Sequence, residues 1–361
     1  MDVVVIGAGL IGTWIAYECA NRGLVVALCD QSDPPGDGIS GRNSGVLHAG
    51  LYYTPGSLKA KHCIRGRKLA IDFFENYNVP YMVCGKLITA GEPSHADDEE
   101  TILKIKANAE ASGAEGIEIL QNPGRMFPGV RGKLALHSAG TGVVDAAAYL
   151  KRLYRAAEES GVTILAGRTF VEGHAGEVTL ENPAGERETI QCGAIINAAG
   201  LESDTVARNF GVDRFEIRPN RGEYFRLRKN LDQQILVYPL PHTDSTALGV
   251  HYTFHLNGDS YAGPNSIWAE TKADYRVTAS REEFHRSLSR ILDGYTLDDL
   301  QPGYSGLRPR LFENGNAIKD FVILEQPARV VHMLGIESPG LTSAPSLARE
   351  VCDLLLGEKG I

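Results

Sequence analysis

The chain has 361 residues, 43% of them hydrophobic, more than one ordinary core requires, which suggests two joined domains able to bury a large ligand. Lys and Arg number 36 against 45 Asp and Glu, a formal charge of −9, so there is no global cationic field for nucleic acid or anionic lipid. No stretch approaches the ~20 apolar residues that cross a bilayer, and the six cysteines form no C-x-x-C pair, which together imply a reducing, cytoplasmic setting with peripheral membrane contact left open.

Val3 to Ile6 is a continuous apolar run that leads directly into Gly7-Ala-Gly-Leu-Ile-Gly12. Gly7 permits a tight turn, Gly9 lets backbone approach a pyrophosphate, and Gly12 lets the next helix sit close on the strand. The N–H groups around Leu10 and Ile11 then form a helix N-terminus that favours negative charge. Periodicity predicts a helix over Thr13–Arg22 and a second strand over Leu24–Cys29, closed by Asp30 and Gln31, where a carboxylate can hold ribose hydroxyls. A parallel βαβ unit with an empty crevice is the structural alternative, and the matched context favours a dinucleotide cradle.

Ser40 to Tyr53 is polar and glycine-rich yet carries His48 and two tyrosines, and reads as a site loop in which Arg42, Asn43, Ser44, Gly45 and Val46 run beside the cofactor. A helix is expected over Ser57–Tyr77, one strand over Tyr81–Ala90, a solvated helix over His95–Lys106 and another helix from Asp145 to Ser160. Short strands lead to Ala194–Asn197 and the small-residue turn Ala198-Ala-Gly200, where backbone can pass close to the same cofactor. Phe215 to Glu270 is β-rich and aromatic, the texture of an antiparallel substrate sheet, and a helix is expected over Ser280–Leu292.

The chain closes with a strand at Val330–Leu334, a turn, and a helix over Ala344–Leu356. A nicotinamide enzyme needs only its nucleotide halves bound, whereas reduced flavin carries negative charge near N1 and O2. A second helix N-terminus at Gly340, Leu341, Thr342 and Ser343 answers that charge, so FAD is the expected cofactor. An ordinary cap by Ser343 is the plainer explanation of the same residues.

Arg42-Asn-Ser-Gly-Val-Leu-His-Ala-Gly-Leu-Tyr-Tyr53, Cys84-Gly-Lys-Leu87, Thr141-Gly-Val-Val-Asp145, Asn197-Ala-Ala-Gly-Leu201, Arg221-Gly-Glu-Tyr224, Leu248-Gly-Val-His251 and Gly306-Leu-Arg-Pro309, with the glycine fingerprint, span nearly the whole chain. Together they resemble the L-2-hydroxyglutarate dehydrogenase/oxidase branch of the D-amino-acid-oxidase-like flavoproteins. The resemblance implies an α/β (α+β) fold: a Rossmann-like FAD-binding domain of the glutathione-reductase-2 type, with a second, mainly antiparallel sheet domain as a roof over the flavin. The expected division is 1–80, 142–214 and 303–361 for FAD, and 81–141 with 215–302 for substrate. Val171 matches a position that contacts adenine through its backbone, and Gly306 one beside the flavin. The family carries Glu more often than Asp at position 30, which retains the carboxylate.

Oxidising a 2-hydroxy acid needs a carboxylate clamp, a base and an electron acceptor. Arg308 resembles the carboxylate-binding arginine of the amino-acid oxidases, and its planar fork suits that task; Arg221 is the second candidate. For the base, His48 resembles the acid/base histidine of glycerol-3-phosphate oxidases, and His251 competes with it. Tyr53, Lys59 and Asn265 are expected as polar lining. His251 and His255 would lie about 13 Å apart on a strand, too far to share an ion, so no metal is expected.

The expected activity is FAD-dependent oxidation of a small carboxylate, L-2-hydroxyglutarate or similar, to the 2-oxo acid. Amino-acid or glycerol-3-phosphate oxidation, and a non-catalytic flavin-binding module, are the competing readings. The partners are a carboxylate substrate and an electron acceptor that is oxygen, a quinone or an electron-transfer protein, with no nucleic acid.

Overall fold

The computed structural model describes residues 1–241 and 249–358, so Leu248 of the Leu-Gly-Val-His motif lies outside the described residues. A six-stranded sheet is built in the order Val322–Glu325, Val330–Leu334, Ala194–Asn197, Val3–Ile6, Val26–Asp30, Thr163–Ala166. All its pairings are parallel except that of the first two strands. Val3–Ile6 is buried at every position, as a strand covered on both faces must be. Against this sheet pack the helices Leu10–Asn21, Leu58–Tyr77, Ala146–Glu159 and Gly340–Leu356, which close one core around Trp14, Phe73, Phe74, Tyr149 and Leu347.

The second layer is a ten-stranded sheet ordered Asn316–Ile318, Leu300–Glu313, Phe215–Leu227, Ser260–Gly263, His251–Phe254, Leu236–Pro239, Lys86–Thr89, Leu134–Ser138, Ile117–Gln121, with Ile267–Trp268 added beside Phe215–Leu227. Its pairings are antiparallel save one, Leu236–Pro239 beside Lys86–Thr89. One face packs Leu87, Val237, Tyr252, Ala262 and Phe225 into a second core with Phe284 and Ile102. The other face looks toward the parallel sheet.

Several element boundaries differ from the sequence expectation. The first helix starts at Leu10, three residues before Thr13, and the last begins at Gly340 instead of Ala344. The single strand expected over Tyr81–Ala90 is two, Tyr81–Val83 and Lys86–Thr89, in different sheets. Gly85, at φ +79°, makes the break, in a conformation that a side chain disfavours. The helix expected over Ser280–Leu292 spans only Arg281–Leu288. Strand Leu300–Glu313 runs through the expected division at 302/303.

Candidate active site

One elongated cavity runs between the layers, and Gly7 and Gly340 both line it. Near the N-terminal fingerprint its wall is Gly7, Gly9, Leu10 and Ile11, with Asp30 and Gln31 at the end of the second strand. The glycines are sterically required: a Cβ on Gly7, at φ +102°, would lie 2.5 Å from the Ala198 carbonyl oxygen. One on Gly12 would lie 1.9 Å from the Gly7 oxygen. Gly12 therefore acts by letting the helix close on the strand and does not itself line the cavity.

At this helix N-terminus the Leu10 N–H donates to Ser40 Oγ at 2.8 Å, while the N–H groups of Ile11 and Gly12 have no acceptor among the described residues. An unpartnered first-turn donor on the cavity wall, as Ile11 is, suits a phosphate. Asp30 is held for the same end: its Oδ2 accepts the Ala8 N–H at 2.7 Å and its Oδ1 that of Ser32 at 2.9 Å, leaving lone pairs for hydroxyl donors.

The loop after Asp30 contributes more than the sequence reading assigned. Ser32, Gly36, Gly38, Ile39 and Ser40 join Arg42, Asn43, Ser44 and Val46 in the lining. The unassigned residues carry no motif of their own, and only their Gly-rich, polar texture distinguishes them. Asn43 organises the loop by donating to Ser40 O at 2.6 Å and accepting the Gly45 N–H at 2.8 Å, and Gly45 takes φ +64°. The Arg42 guanidinium stacks over Tyr275 at 4.3 Å, and its Nε has no partner. Ala198, Ala199 and Gly200 close the opposite wall; Val171 lies on Thr169–His174 and is not among the residues lining it.

At the far end Ser338, Pro339, Gly340 and Leu341 lead into the terminal helix. The N–H groups of Leu341 and Thr342 have no acceptor among the described residues, which makes this turn a second anion-favouring end. Thr342 uses its side chain elsewhere: Oγ1 accepts the His48 N–H at 2.9 Å and so fixes the site loop. The Ser343 N–H is taken by Pro339 O, its hydroxyl is buried without a partner, and it lies outside the lining. Gly306 brings the roof down, since a Cβ there would lie 2.3 Å from the Arg42 carbonyl oxygen.

His48, Tyr224 and Arg308 line the same cavity. Arg308 donates to Asn220 Oδ1 at 2.9 Å and to the Asn265 carbonyl at 3.3 Å, and no carboxylate lies within ion-pairing distance among the described residues. Asn265, expected as lining, instead positions Arg308 through that carbonyl and accepts the Glu223 N–H at 2.8 Å. His48 Nε2 is 3.1 Å from Ser338 Oγ. Burial, then the charge of Lys86 and the His251 ring, push His48 down to about 3, so it is a neutral base at ordinary pH. His251 is likewise held at about 3, chiefly by burial, and its Nδ1 meets the Gly249 carbonyl at 2.9 Å, which leaves Nε2 as an acceptor.

Three expected lining residues are engaged elsewhere. Arg221 is buried and bonded to Glu223 at 2.8 Å, to Thr278 at 2.9 Å and to Asp274. It precedes Gly222, which lines the cavity, so the strand's alternation turns Arg221 to the opposite face. Lys59 pairs with Glu337 at 2.8 Å and braces the terminal turn. Tyr53 is half-buried near Ser338 and is not itself among the lining residues, and desolvation pushes its phenol well above the usual range. Lys86, which no motif argument had singled out by itself, lies beside both histidines electrostatically. Among the described residues no group of three or more metal-ligating side chains is found, and no helix is long and apolar enough to cross a membrane.

The family model described as FAD dependent oxidoreductase matches residues 2–354. The mitochondrial L-2-hydroxyglutarate dehydrogenase of Arabidopsis thaliana is 32% identical, across 99% of this chain and 83% of its own length. The L-2-hydroxyglutarate dehydrogenase of Indibacter alkaliphilus is 27% identical across 98% of this chain and 98% of its own length. Among solved structures, dithionite-reduced L-alpha-glycerophosphate oxidase from Mycoplasma pneumoniae with FAD bound superposes with a TM-score of 0.89 at 25% identity, covering 99% of this chain and 95% of that one. Glycine oxidase from Bacillus cereus shares the fold, with a TM-score of 0.79 at 21% identity over 99% of this chain and 96% of its own. The paired unpartnered helix ends, the glycine cradle and Asp30 suit FAD as the cofactor, and the chain belongs to the FAD dependent oxidoreductase family.

Proposed function

We propose that this chain oxidises a small 2-hydroxy acid of the L-2-hydroxyglutarate kind to the 2-oxo acid. The observation that carries the reading is a half-buried guanidinium without a carboxylate partner among the described residues, Arg308, opening on the same cavity as the neutral base His48. The names of the relatives in Arabidopsis thaliana and Indibacter alkaliphilus support it.

FAD, held by the Gly7–Ile11 turn, Asp30 and the Gly340–Leu341 turn, would supply a two-electron acceptor for the substrate's Cα hydride. Arg308 binds the substrate carboxylate through its planar fork, with Asn220 and the Asn265 carbonyl fixing the guanidinium plane. His48 Nε2 takes the hydroxyl proton as the C–H bond breaks, and the Ser338 hydroxyl, 3.1 Å from that nitrogen, turns its lone pair to accept the N–H so formed. Burial between the two sheets keeps bulk water away and strengthens both interactions.

The test is anaerobic addition of L-2-hydroxyglutarate to the FAD-loaded protein while the oxidised-flavin absorption is followed. Bleaching by 2-hydroxy acids is the expected result. Bleaching by amino acids alone, or by glycerol 3-phosphate alone, overturns the assignment, and no bleaching by any of them points to a non-catalytic flavin protein.

A further inference from the structure

Arg42 lines the cavity, yet its guanidinium makes no hydrogen bond among the described residues, and its Nε is buried without a partner. Its carboxylate neighbour Asp37 is 3.8 Å away and 81% exposed, too open for a firm ion pair. The other cations on the wall are engaged. Lys272 donates to Asp204 at 2.6 Å and to Glu202 at 3.3 Å, and Arg308 donates to Asn220 and the Asn265 carbonyl. Arg42 therefore keeps its whole fork of N–H donors for an acceptor that the chain does not supply.

The backbone places this cation beside the glycine fingerprint. Ser40 Oγ accepts the Leu10 N–H at the helix end where Ile11 offers a free donor, and a Cβ on Gly9 would lie 3.0 Å from the same oxygen. The 3-10 turn Ile39–Gly41 then carries the chain from Ser40 to Arg42. From the roof, the Tyr275 ring stacks on the guanidinium at 4.3 Å. Tyr275 belongs to a strap, residues 269–279, that contains no helix or strand and joins Ile267–Trp268 to Arg281–Leu288. Arg221 and Glu223 fasten the strap to the roof. Arg221 donates to Asp274 and to Thr278, and Glu223 accepts the N–H groups of Thr278 and Ala279. Ser305 Oγ donates to the Tyr275 carbonyl at 2.6 Å.

We propose that Arg42 is the counter-cation of the FAD diphosphate and that Tyr275, carried by the strap, is the positioning residue that holds its fork toward the phosphate oxygens. A diphosphate is a dianion, whereas a helix end supplies roughly half a positive charge. A planar guanidinium answers the remainder and suits paired phosphate oxygens. Arg221 and Glu223, by anchoring the strap, then serve retention of the cofactor. Such retention is independent of which substrate is oxidised.

The test is release of FAD from the loaded full-length protein, followed as the rise of flavin fluorescence on dilution at low and at high salt. Arg42→Met is expected to release FAD about tenfold to a hundredfold faster than wild type, and to lose most of the acceleration that salt gives wild type. Arg42→Lys, which keeps the charge without the fork should the neutral variant fold poorly, is expected to release at an intermediate rate and to stay salt-sensitive. Tyr275→Leu is expected to reproduce most of the Arg42→Met effect, and Tyr275→Phe, which keeps the ring face, to behave as wild type. With both Arg42→Met and Tyr275→Leu present, release is expected to be little faster than with either alone. A wild-type rate in Arg42→Met, or wild-type release indifferent to salt, overturns the counter-cation. Effects of the two substitutions that multiply in full overturn the positioning by Tyr275.

Discussion

The groups facing His48 set the expected pH behaviour. Lys86 and His251 act on its ring from the roof, Ser338 contacts Nε2, and Thr342 holds its backbone. Since burial, with the Lys86 ammonium, holds His48 at about 3, its neutral, proton-accepting form already predominates at pH 5, so kcat/KM for the 2-hydroxy acid should stay flat from about pH 5 to 8 instead of breaking near its ordinary value of about 6.5. His48→Asn should lower that rate by about 10² to 10⁴ with no change in flavin content. A break near 6.5 would place the essential base elsewhere. Arg308 was legible because its motif is local, whereas the placement of Lys86 beside both histidines depends on which strands surround it, which local spacing does not encode.

Backbone clearance governs the elements that grip the cofactor. Because a Cβ on Gly12 would enter the Gly7 carbonyl at 1.9 Å, Gly12→Ala should push the first helix off its strand and cost about 3 kcal/mol or more. The expected readouts are a lower Tm and a lower ratio of flavin to protein absorbance; full flavin content would show that the helix can shift without losing its phosphate end. The fingerprint was readable because its steric demand lies within a few residues. Arg221 was misassigned for the opposite reason: its partners are two residues away in Glu223 and 53 away in Asp274, and only the pairing of the roof strands brings them together. Glu223 accepts from Thr278 at 3.1 Å and from Ala279 at 2.8 Å, and is 0% exposed. Although burial alone would raise its carboxyl, these donors and Arg221 hold it below the usual range. Glu223→Gln leaves Arg221 underpaired and should cost about 3 to 5 kcal/mol in urea unfolding. A KM that changes little would locate the effect in the roof's stability instead of substrate binding.

At the scale of the molecule, the two ends of the chain meet because the first and last helices pack in one core with Leu58–Tyr77. Arg22, capping the C-terminus of the first helix, reaches Asp353 on the last at 2.7 Å, and Lys59 with Arg310 holds Glu337 beside the terminal turn. The cavity nevertheless depends on less firmly built parts: the loop from Gly36 to Val46, which contains only a short 3-10 turn and a two-residue strand, and the turn Gly335–Gly340. FAD would touch both at once, so its binding free energy is shared with the ordering of these segments. At a free concentration one hundred times Kd it should add about 2.7 kcal/mol to the unfolding free energy. Removal of the cofactor should leave the deeply buried strands Val3–Ile6 and Val26–Leu28 as protected from hydrogen exchange as before, while exchange rises in residues 36–46 and 335–342. Equal protection of those segments with and without FAD would mean that the cradle is rigid before the cofactor arrives. A rise spread over the whole ten-stranded roof would mean instead that the cofactor holds the two layers together.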